Sequence, residues 1–268
     1  MAKVQIELKI NKSVEENASS YFEQSKKAKK KLDGIRKILD EYSRKSEEML
    51  EKEKRDAELK SRQVQKKIVK SEWYEKFRWF ISSEGYLVIG GRDATTNEII
   101  VKKHMDPEDI VFHTDAPGSP FFLIKSASSS GITEKTIVEA ATATACYSKA
   151  WKRGIFGADV FRVKPEQVSK ETNSGEYIGK GSFMIHGKKE YVTPEMKIAI
   201  AVMDDKIIGG PVSAISARTD KSVILVPGDD KTGDIAKKIK KALGGDLSLD
   251  ELNRFIPAGG SKIEVKRR

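Results

Sequence analysis

The sequence predicts an α+β domain, in which helices pack on a mixed sheet, preceded by a long helical coiled coil or helical hairpin. Three observations predict this fold class. Residues 14–70 contain no proline and one glycine, Gly34. Short apolar runs typical of strands follow residue 73, and helical patterns lie between them. Because strands and helices interleave irregularly, α+β is favoured over a doubly wound parallel sheet.

The first twelve residues are predicted to be a short lead-in strand. Four apolar residues alternate there with period two, namely Val4, Ile6, Leu8 and Ile10. Asn11 or Ser13 can cap the helix that follows. Glu16, three residues after Ser13, would complete a capping box.

Residues 13–71 are predicted to form a basic coiled coil. Two rows keep heptad spacing, Ala18, Ser25, Leu32, Leu39 and Ser46 in one and Tyr21, Ala28, Ile35, Tyr42 and Met49 in the other. The spacing is lost over residues 51–60, which leaves two geometries open, a single rod and an antiparallel hairpin turning near residues 51–56. The hairpin is favoured, because the pattern is lost where a turn would bring the chain back. Self-association through the coil is a further possibility.

Residues 72–268 are predicted to form the α+β domain. Helices are predicted at 72–82, 95–104, 133–152, 232–243 and 247–254. Strands are predicted at 85–91, 109–114, 119–125, 158–164, 181–186, 196–203, 212–217 and 221–226. The aromatic run that opens the domain, WYEKFRWF, indicates a packed domain entrance, because a solvated linker would not carry that much apolar surface.

The charge of the chain predicts a polyanionic partner. Its net charge is +10, and residues 1–70 hold 20 Lys/Arg against 13 Asp/Glu, whereas the remainder holds 30 against 27. A solvated helical face would explain the same excess, and both interpretations stay open. No apolar run is long enough for a transmembrane helix, and the single cysteine, Cys146, excludes an intrachain disulfide and a multi-cysteine zinc site. We expect a cytoplasmic protein with no membrane partner, no metal and no cofactor.

The segment DIVFHTDAPGSP is the best polar cluster of the sequence. His113 and Asp115 lie two residues apart at a strand end, so they share a face. Gly118 and Ser119 follow in a turn whose backbone N–H groups can bind phosphate. A structural turn and a ligand or RNA contact explain the segment about equally well. A nucleophile set of His113, Asp115 and Ser119 is the weaker alternative, since no nucleophile elbow accompanies it.

Gly90-Gly91-Arg92-Asp93 lies between a strand and a helix, where a phosphate-binding loop is geometrically possible. The alternative is structural: Asp93 or Thr95 caps the helix, and Arg92 pairs with an acid. Further basic residues follow a helix rich in alanine and threonine. The full set of candidate RNA-binding residues is Lys76, Arg78, Arg92, Asp93, His113, Asp115, Gly118, Ser119, Lys125, Lys149, Lys152, Arg153, Arg162, Lys164, Lys170, Lys180, Lys188 and Lys189.

An ordered set of motifs resembles the NFACT-R domain of the NFACT family over about residues 73–263. They are WYEKFRWFISSEGYLVIGGRDATTNE, DIVFHTDAPGSP, EAATATACYSKAW, VSKETNSGEYIGKGSFMIHGKK and FIPAGGSKI. The upstream VQIELKINKSVEENASSYFEQSKKAKKKLDG resembles the segment that leads into the family's coiled coil. The version of these motifs looks archaeal or eukaryotic rather than bacterial.

The resemblance implies an RNA- and ribosome-binding protein of ribosome-associated quality control that is not an enzyme. Its implied partners are the large ribosomal subunit, rRNA or tRNA on stalled nascent-chain complexes. The sequence holds no counterpart of the family's N-terminal NFACT-N domain. We therefore expect a fragment, or a stand-alone version that works with a separate NFACT-N-containing chain. The alternatives are a nucleic-acid-acting enzyme and a protein-interaction or adhesion module.

Overall fold

The computed structural model describes residues 5–68, 72–125, 131–155, 157–171 and 178–264, with the backbone alone for 56–68. The chain divides into two compact units, Met1–Ser71 and Glu72–Arg268. The α+β class is confirmed. No helix within the described ranges is long and apolar enough to cross a membrane.

One helix, α1, dominates the first unit and spans Val14–Ile68. Its first turn carries the predicted capping box: Ser13 Oγ accepts the N–H of Glu16 at 3.1 Å, and a carboxylate oxygen of Glu16 accepts the N–H of Ser13 at 2.9 Å. The predicted hairpin is wrong, because residues 51–56 remain helical. That stretch has no glycine or proline and is rich in good helix formers, and Arg55 pairs with Glu51 at 2.9 Å, one turn away.

The lead-in segment forms no strand over its described part, and residues 10–12 form a turn, so the predicted strand is wrong there; residues 1–4 lie outside the described residues. Its backbone bonds to side chains of α1 instead of a neighbouring strand. Asn17 exchanges two hydrogen bonds with the backbone of Lys9, at 3.0 and 3.1 Å. The hydroxyl of Tyr21 donates to the carbonyl of Glu7 at 2.7 Å. Period-two alternation therefore does not make a strand here, because the described part of this unit offers no partner strand to form a ladder.

The second unit is built on a six-stranded sheet with the order β1-β2-β4-β3-β5-β8. Its strands are β1 (Arg78–Ile81), β2 (Leu87–Gly90), β3 (Ile110–Thr114), β4 (Phe122–Ile124), β5 (Val160–Val163) and β8 (Glu190–Val192). The short pair β6 (Val168–Ser169) and β7 (Met184–Ile185) lies beside it. A four-stranded sheet follows, in the order β10-β9-β11-β12. Its strands are β9 (Ile198–Met203), β10 (Lys206–Pro211), β11 (Ser222–Asp230) and β12 (Ser261–Ile263). All these named pairs are antiparallel rather than mixed.

Short helices connect and cover the two sheets. They are α2 (Ala94–Ile99), continued by a π-helical turn (Ile100–His104), α3 (Glu134–Cys146), α4 (Lys149–Lys152), α5 (Val212–Ser216), α6 (Thr232–Leu243) and α7 (Leu249–Asn253). The predicted helix over 133–152 is interrupted before α4, where Ser148 caps the new helix by accepting the N–H of Ala150 at 3.1 Å.

The central strands of the six-stranded sheet are buried on both faces, as alternation along β2 and β3 shows. In β2, Val88 belongs to the apolar cluster that includes α3 and the second sheet, whereas the next residue, Ile89, belongs to the cluster on the opposite face with Ile100. In β3, Phe112 and Val111 divide in the same way. The sheet is therefore a rigid central layer whose strand ends carry the polar loops.

In the second unit, two predicted elements are wrong. Residues 72–82 form a single 3₁₀ turn (Trp73–Lys76) and then β1, because aromatic and branched side chains pack well on a strand, where Trp79 pairs with Ile89. Residues 212–217 form α5 instead of a strand. The strand precedes them as β10, joined to β9 by a tight turn in which Asp204 and Asp205 both have positive φ, 50° and 60°.

Candidate nucleic-acid interface

A cleft of about 300 Å³ opens at one end of the six-stranded sheet. Its walls are the end of β2 with the start of α2, the loop from β3 to β4, the residue that follows α3, and the turn over residues 179–182. Seven of the candidate residues line it: Arg78, Arg92, Asp93, His113, Gly118, Ser119 and Lys180. The topology thus brings together side chains that are spread over about a hundred positions of sequence.

Arg78 is held in place on one wall of the cleft. Its guanidinium lies 3.9 Å from the centre of the Tyr147 ring and donates to the carbonyl of Arg254 at 3.1 Å. Arg254 in turn donates to the carbonyl of Glu75 at 2.9 Å. Burial lowers the pKa of Arg78 from its ordinary value, yet a guanidinium stays protonated at neutral pH. Burial also raises the pKa of Tyr147 to about 12, so the phenol is neutral.

Arg92 lines the same cleft and is half-buried, and no described carboxylate lies within ion-pair distance of it. Burial and then the neighbouring charges of Arg254 and Arg78 lower its pKa. The neighbouring Asp93 is occupied by the backbone, since its Oδ1 accepts the N–H of Thr96 at 2.8 Å and so caps α2. The expected cap is confirmed at Asp93, whereas the expected acid partner of Arg92 is not found among the described residues.

Two lysines complete the rim. Lys149, at the start of α4, has its side chain against Gly118, whose φ of +84° is in the region that favours glycine. Lys180 is exposed in the turn that carries Gly181, and that turn is anchored by the N–H of Gly181, which donates to Glu98 at 2.8 Å. Neither lysine has an acidic partner among the described residues; Lys180 lines the cleft, and Lys149 is exposed beside it.

The floor of the cleft is neutral and buried. Asn97 is 8% exposed, and its Oδ1 accepts the N–H of Phe121 at 3.2 Å. His113 stacks on Phe121 with ring centres 4.2 Å apart, and its Nε2–H donates to the carbonyl of Ser119 at 3.2 Å. Burial lowers the pKa of His113, which makes the imidazole neutral at pH 7. The cleft therefore combines a cationic rim with an uncharged floor.

Residues 76–187, which include the β-sheet part of this cleft, match the sequence profile of the NFACT protein RNA binding domain. The Archaeal Rqc2 homolog aRqcH of Methanocaldococcus jannaschii is 40% identical over 218 residues, which are 78% of this chain and 32% of that protein. The chain belongs to the NFACT family. It is a member of archaeal type, and it spans about a third or less of the length of its curated relatives.

Relatives of this NFACT chain extend to eukaryotes. Ribosome quality control complex subunit NEMF of Homo sapiens is 34% identical over 248 residues, 88% of this chain and 22% of that protein. Among solved structures, the C-terminal of the fibronectin/fibrinogen-binding protein from Streptococcus suis is 14% identical, with a TM-score of 0.38 over 47% of this chain and 49% of that chain. The last similarity is too low to support an argument.

The three groups of the alternative nucleophile set are engaged elsewhere in this NFACT domain. Asp115 accepts from Lys189 at 2.6 Å and from the Tyr191 hydroxyl at 2.9 Å, and the lysine lowers its pKa. The hydroxyl of Ser119 donates to the carbonyl of Pro120 at 3.3 Å, and His113 bonds the Ser119 carbonyl rather than this hydroxyl. This arrangement gives no support to nucleophilic catalysis.

The remaining candidate residues do not line the cleft. Several are paired with acids: Lys125 with Asp106 and Asp109, Arg162 with Glu190, Lys164 with Glu166, Lys170 with Glu98, and Lys189 with Asp115. Lys76 lies over the ring of Phe77. Lys152, Arg153 and Lys188 are exposed. Some of the candidate cations are therefore used in ion pairs within the protein, whereas others face solvent.

Sequence reasoning missed three residues that shape the cleft, Arg254, Tyr147 as the support of Arg78, and Asn97. Arg254 is 176 residues from Arg78 along the chain. No local pattern joins the two, so tertiary structure alone reveals their contact.

Proposed function

We propose that this chain is an RNA-binding part of the ribosome quality control machinery, acting in the cytoplasm. It would contact rRNA of the large ribosomal subunit, or tRNA, on stalled nascent-chain complexes. Two similarities support the proposal: the matched domain is described as RNA binding, and the relatives are named as ribosome quality control subunits.

One structural observation carries the proposal: the cleft gathers several cations that have no acidic partner within the described part of the chain. Like charges repel, and Arg78 and Arg254 each lower the pKa of Arg92. A protein that keeps such a cluster next to buried, neutral groups is stabilised when an anion enters. Phosphates are the anions that guanidinium groups bind best, through paired N–H donors. An RNA backbone supplies such phosphates in series.

The exposed apolar stripe on α1 favours a second, protein contact. Leu32, Ile35 and Leu39 are 53, 47 and 59% exposed on the helix. Burying such a row is what drives coiled-coil pairing, so self-association through the coil, or pairing with a separate NFACT-N-containing chain, stays a prediction. Light scattering of the full chain between about 1 and 100 μM, the range of micromolar association, decides between monomer and dimer.

Co-sedimentation with purified large ribosomal subunits, and filter binding of tRNA, test the RNA contact. A double variant, Arg92→Gln with Lys180→Gln, removes two cleft charges. Its matched control, Lys241→Gln with Lys237→Gln, removes two charges from the exposed side of α6. We expect the cleft variant to lose about 10-fold or more in affinity, since a hydrogen bond to a charged group contributes about 1.5–3 kcal/mol. Equal binding by both variants contradicts the proposal.

A further inference from the structure

The cleft has the features of a site for one unpaired nucleotide rather than for a stretch of duplex. We propose that it takes a single unpaired nucleotide of an RNA strand, with the phosphate on the cationic rim and the base against the neutral floor. This inference rests on the proposed RNA binding and assigns it a ligand. Three observations carry it.

The first observation is size and shape. At about 300 Å³ the cleft lies at the small end of the range of ligand pockets, which runs from about 300 to 1,000 Å³. An RNA duplex is contacted across its outer surface and cannot enter a recess of this volume. An unpaired nucleotide can leave the stack and insert, as bases do when they are recognised one at a time.

The second observation is the separation of charge within the cleft. Lys180 is exposed, Arg92 is half-buried and Arg78 lies on the Tyr147 ring, whereas the neutral groups of the floor are Asn97 and Ser119, which are 8% and 5% exposed, and His113. A bare phosphate needs cations alone. A nucleotide has a charged end and an uncharged, hydrogen-bonding end, which match the rim and the floor respectively.

The third observation is an unused donor on the floor. The Oδ1 of Asn97 is taken by the N–H of Phe121 at 3.2 Å, and its Nδ2 has no acceptor in the described part of the chain. Asn97 lines the cleft while being more than nine-tenths buried. Because Nδ2 opens to the cleft, it is met by water or by a ligand, and an acceptor on a base edge can replace that water. Phe121 and Phe183 line the same wall and offer apolar contact to the base.

The rim is also pre-formed, which reduces the entropic cost of binding. Arg78 is fixed between the ring of Tyr147 and the carbonyl of Arg254, and Asp93 caps α2 instead of facing the ligand. The turn with Lys180 is tied to α2 through Glu98.

The test measures binding of the full chain to three RNA hairpins with the same stem. One stem is fully paired, one has a single-nucleotide bulge, and one has the same bulge with an abasic site, which keeps the phosphate and removes the base. We expect the bulged hairpin to bind about 10-fold more tightly than the other two, the scale of one base contact. In Asn97→Asp, which keeps the acceptor for Phe121 and loses the donor, this preference should fall. Ser182→Asp is the matched control, because it adds the same charge to the exposed side of the cleft and should weaken all three hairpins equally.

The outcomes separate the inference from the proposed function. Equal, salt-dependent binding of all three hairpins overturns the nucleotide site and leaves RNA binding in place. Equal binding of the bulged and abasic hairpins also overturns it, because the base then contributes nothing. If the chain binds none of the hairpins, and neither tRNA nor the large subunit, the proposed function is overturned and the inference with it. The hairpin comparison on the unsubstituted chain decides the question even where Asn97→Asp fails to fold.

Discussion

The turn that presents Lys180 to the cleft depends on a glycine, and its replacement gives a sharp prediction. Gly181 has a φ of +76°, and a methyl group added there would lie 2.5 Å from both the Cα and the carbonyl oxygen of Ala94. The contacted atoms of Ala94 belong to the backbone at the start of α2, so they cannot move away as the end of a flexible side chain would. In Gly181→Ala the turn itself must therefore move away from α2 and take Lys180 with it.

The expected loss of stability in Gly181→Ala has two parts. The left-handed backbone costs alanine about 1–2 kcal/mol relative to glycine. Relief of the contact with Ala94 stretches the hydrogen bond from the Gly181 N–H to Glu98, which contributes about 1.5–3 kcal/mol as a bond to a charged group. Together they give a loss of about 2.5–5 kcal/mol in the free energy of unfolding. For a unit of this size that loss lowers the Tm by roughly 5–20 °C.

The assay is thermal unfolding followed by circular dichroism, with tRNA binding measured on the same samples. Gly179→Ala is the matched control in the same turn, because a methyl group there meets nothing within 4 Å and the φ of Gly179 is not positive. Gly181→Ala should melt earlier and bind RNA more weakly, whereas Gly179→Ala should match the unsubstituted chain. Identical melting and binding of the two variants refutes the account of this turn.

Three further predictions concern acid stability, a helix cap and the core. Hydrogen bonds from Lys102, Lys170 and the Gly181 N–H lower the pKa of Glu98 from 4.5 to about 2. Because the folded pKa is depressed, its stabilisation is present above about pH 4.5 and is lost as the pH falls toward 2, so Glu98→Gln should flatten acid unfolding curves over that range. Asp93→Ala should cost about 1 kcal/mol by removing the α2 cap, and Asp93→Ser should restore most of it, as urea unfolding will show. Phe112→Ala should cost about 3–5 kcal/mol in the same assay, since Phe112 is fully buried between the two sheets; a loss below about 1 kcal/mol would contradict that packing.

Local signals in the sequence predicted the parts of the fold that local chemistry determines. The capping box of Ser13 and Glu16, the π-extended helix α2, the helix α6 and the strand β9 were predicted close to their observed bounds. Each of these elements has a capping residue or a clear hydrophobic periodicity within its own sequence. The short strands β6, β8 and β12 were missed. A strand of three residues or fewer holds too little hydrophobic alternation to be recognised, and it forms only through pairing with a neighbouring strand.

The errors have physical causes of the same kind. The aromatic residues over 73–80 have helical spacing in the sequence, yet their side chains pack better on a strand, where Trp79 pairs with Ile89. The heptads of α1 stop near residue 51, but loss of a packing pattern does not end a helix that lacks glycine and proline. The turn at Asp204 and Asp205 carried a hairpin signal that was overlooked.

The candidate site was predicted in part. Arg92, His113, Gly118 and Ser119 come from two motifs that the sheet brings to one end, and their convergence follows from antiparallel pairing of neighbouring strands. A basic residue is easy to recognise, but whether an acid neutralises it depends on tertiary contacts. Arg162 and Lys170 are paired, whereas Arg92 and Lys180 have no acidic partner among the described residues. That these residues bind RNA stays a prediction.

The salt dependence of RNA binding tests the central claim most directly, namely that the unpaired cations of the cleft bind phosphate. The logarithm of the association constant for tRNA should fall linearly with the logarithm of salt concentration between about 50 and 200 mM. In Arg92→Gln the slope should be shallower by about 0.7–0.9, the release of one counterion, while in Lys241→Gln it should be unchanged. Equal slopes for the two variants, or binding that does not depend on salt, would contradict the claim.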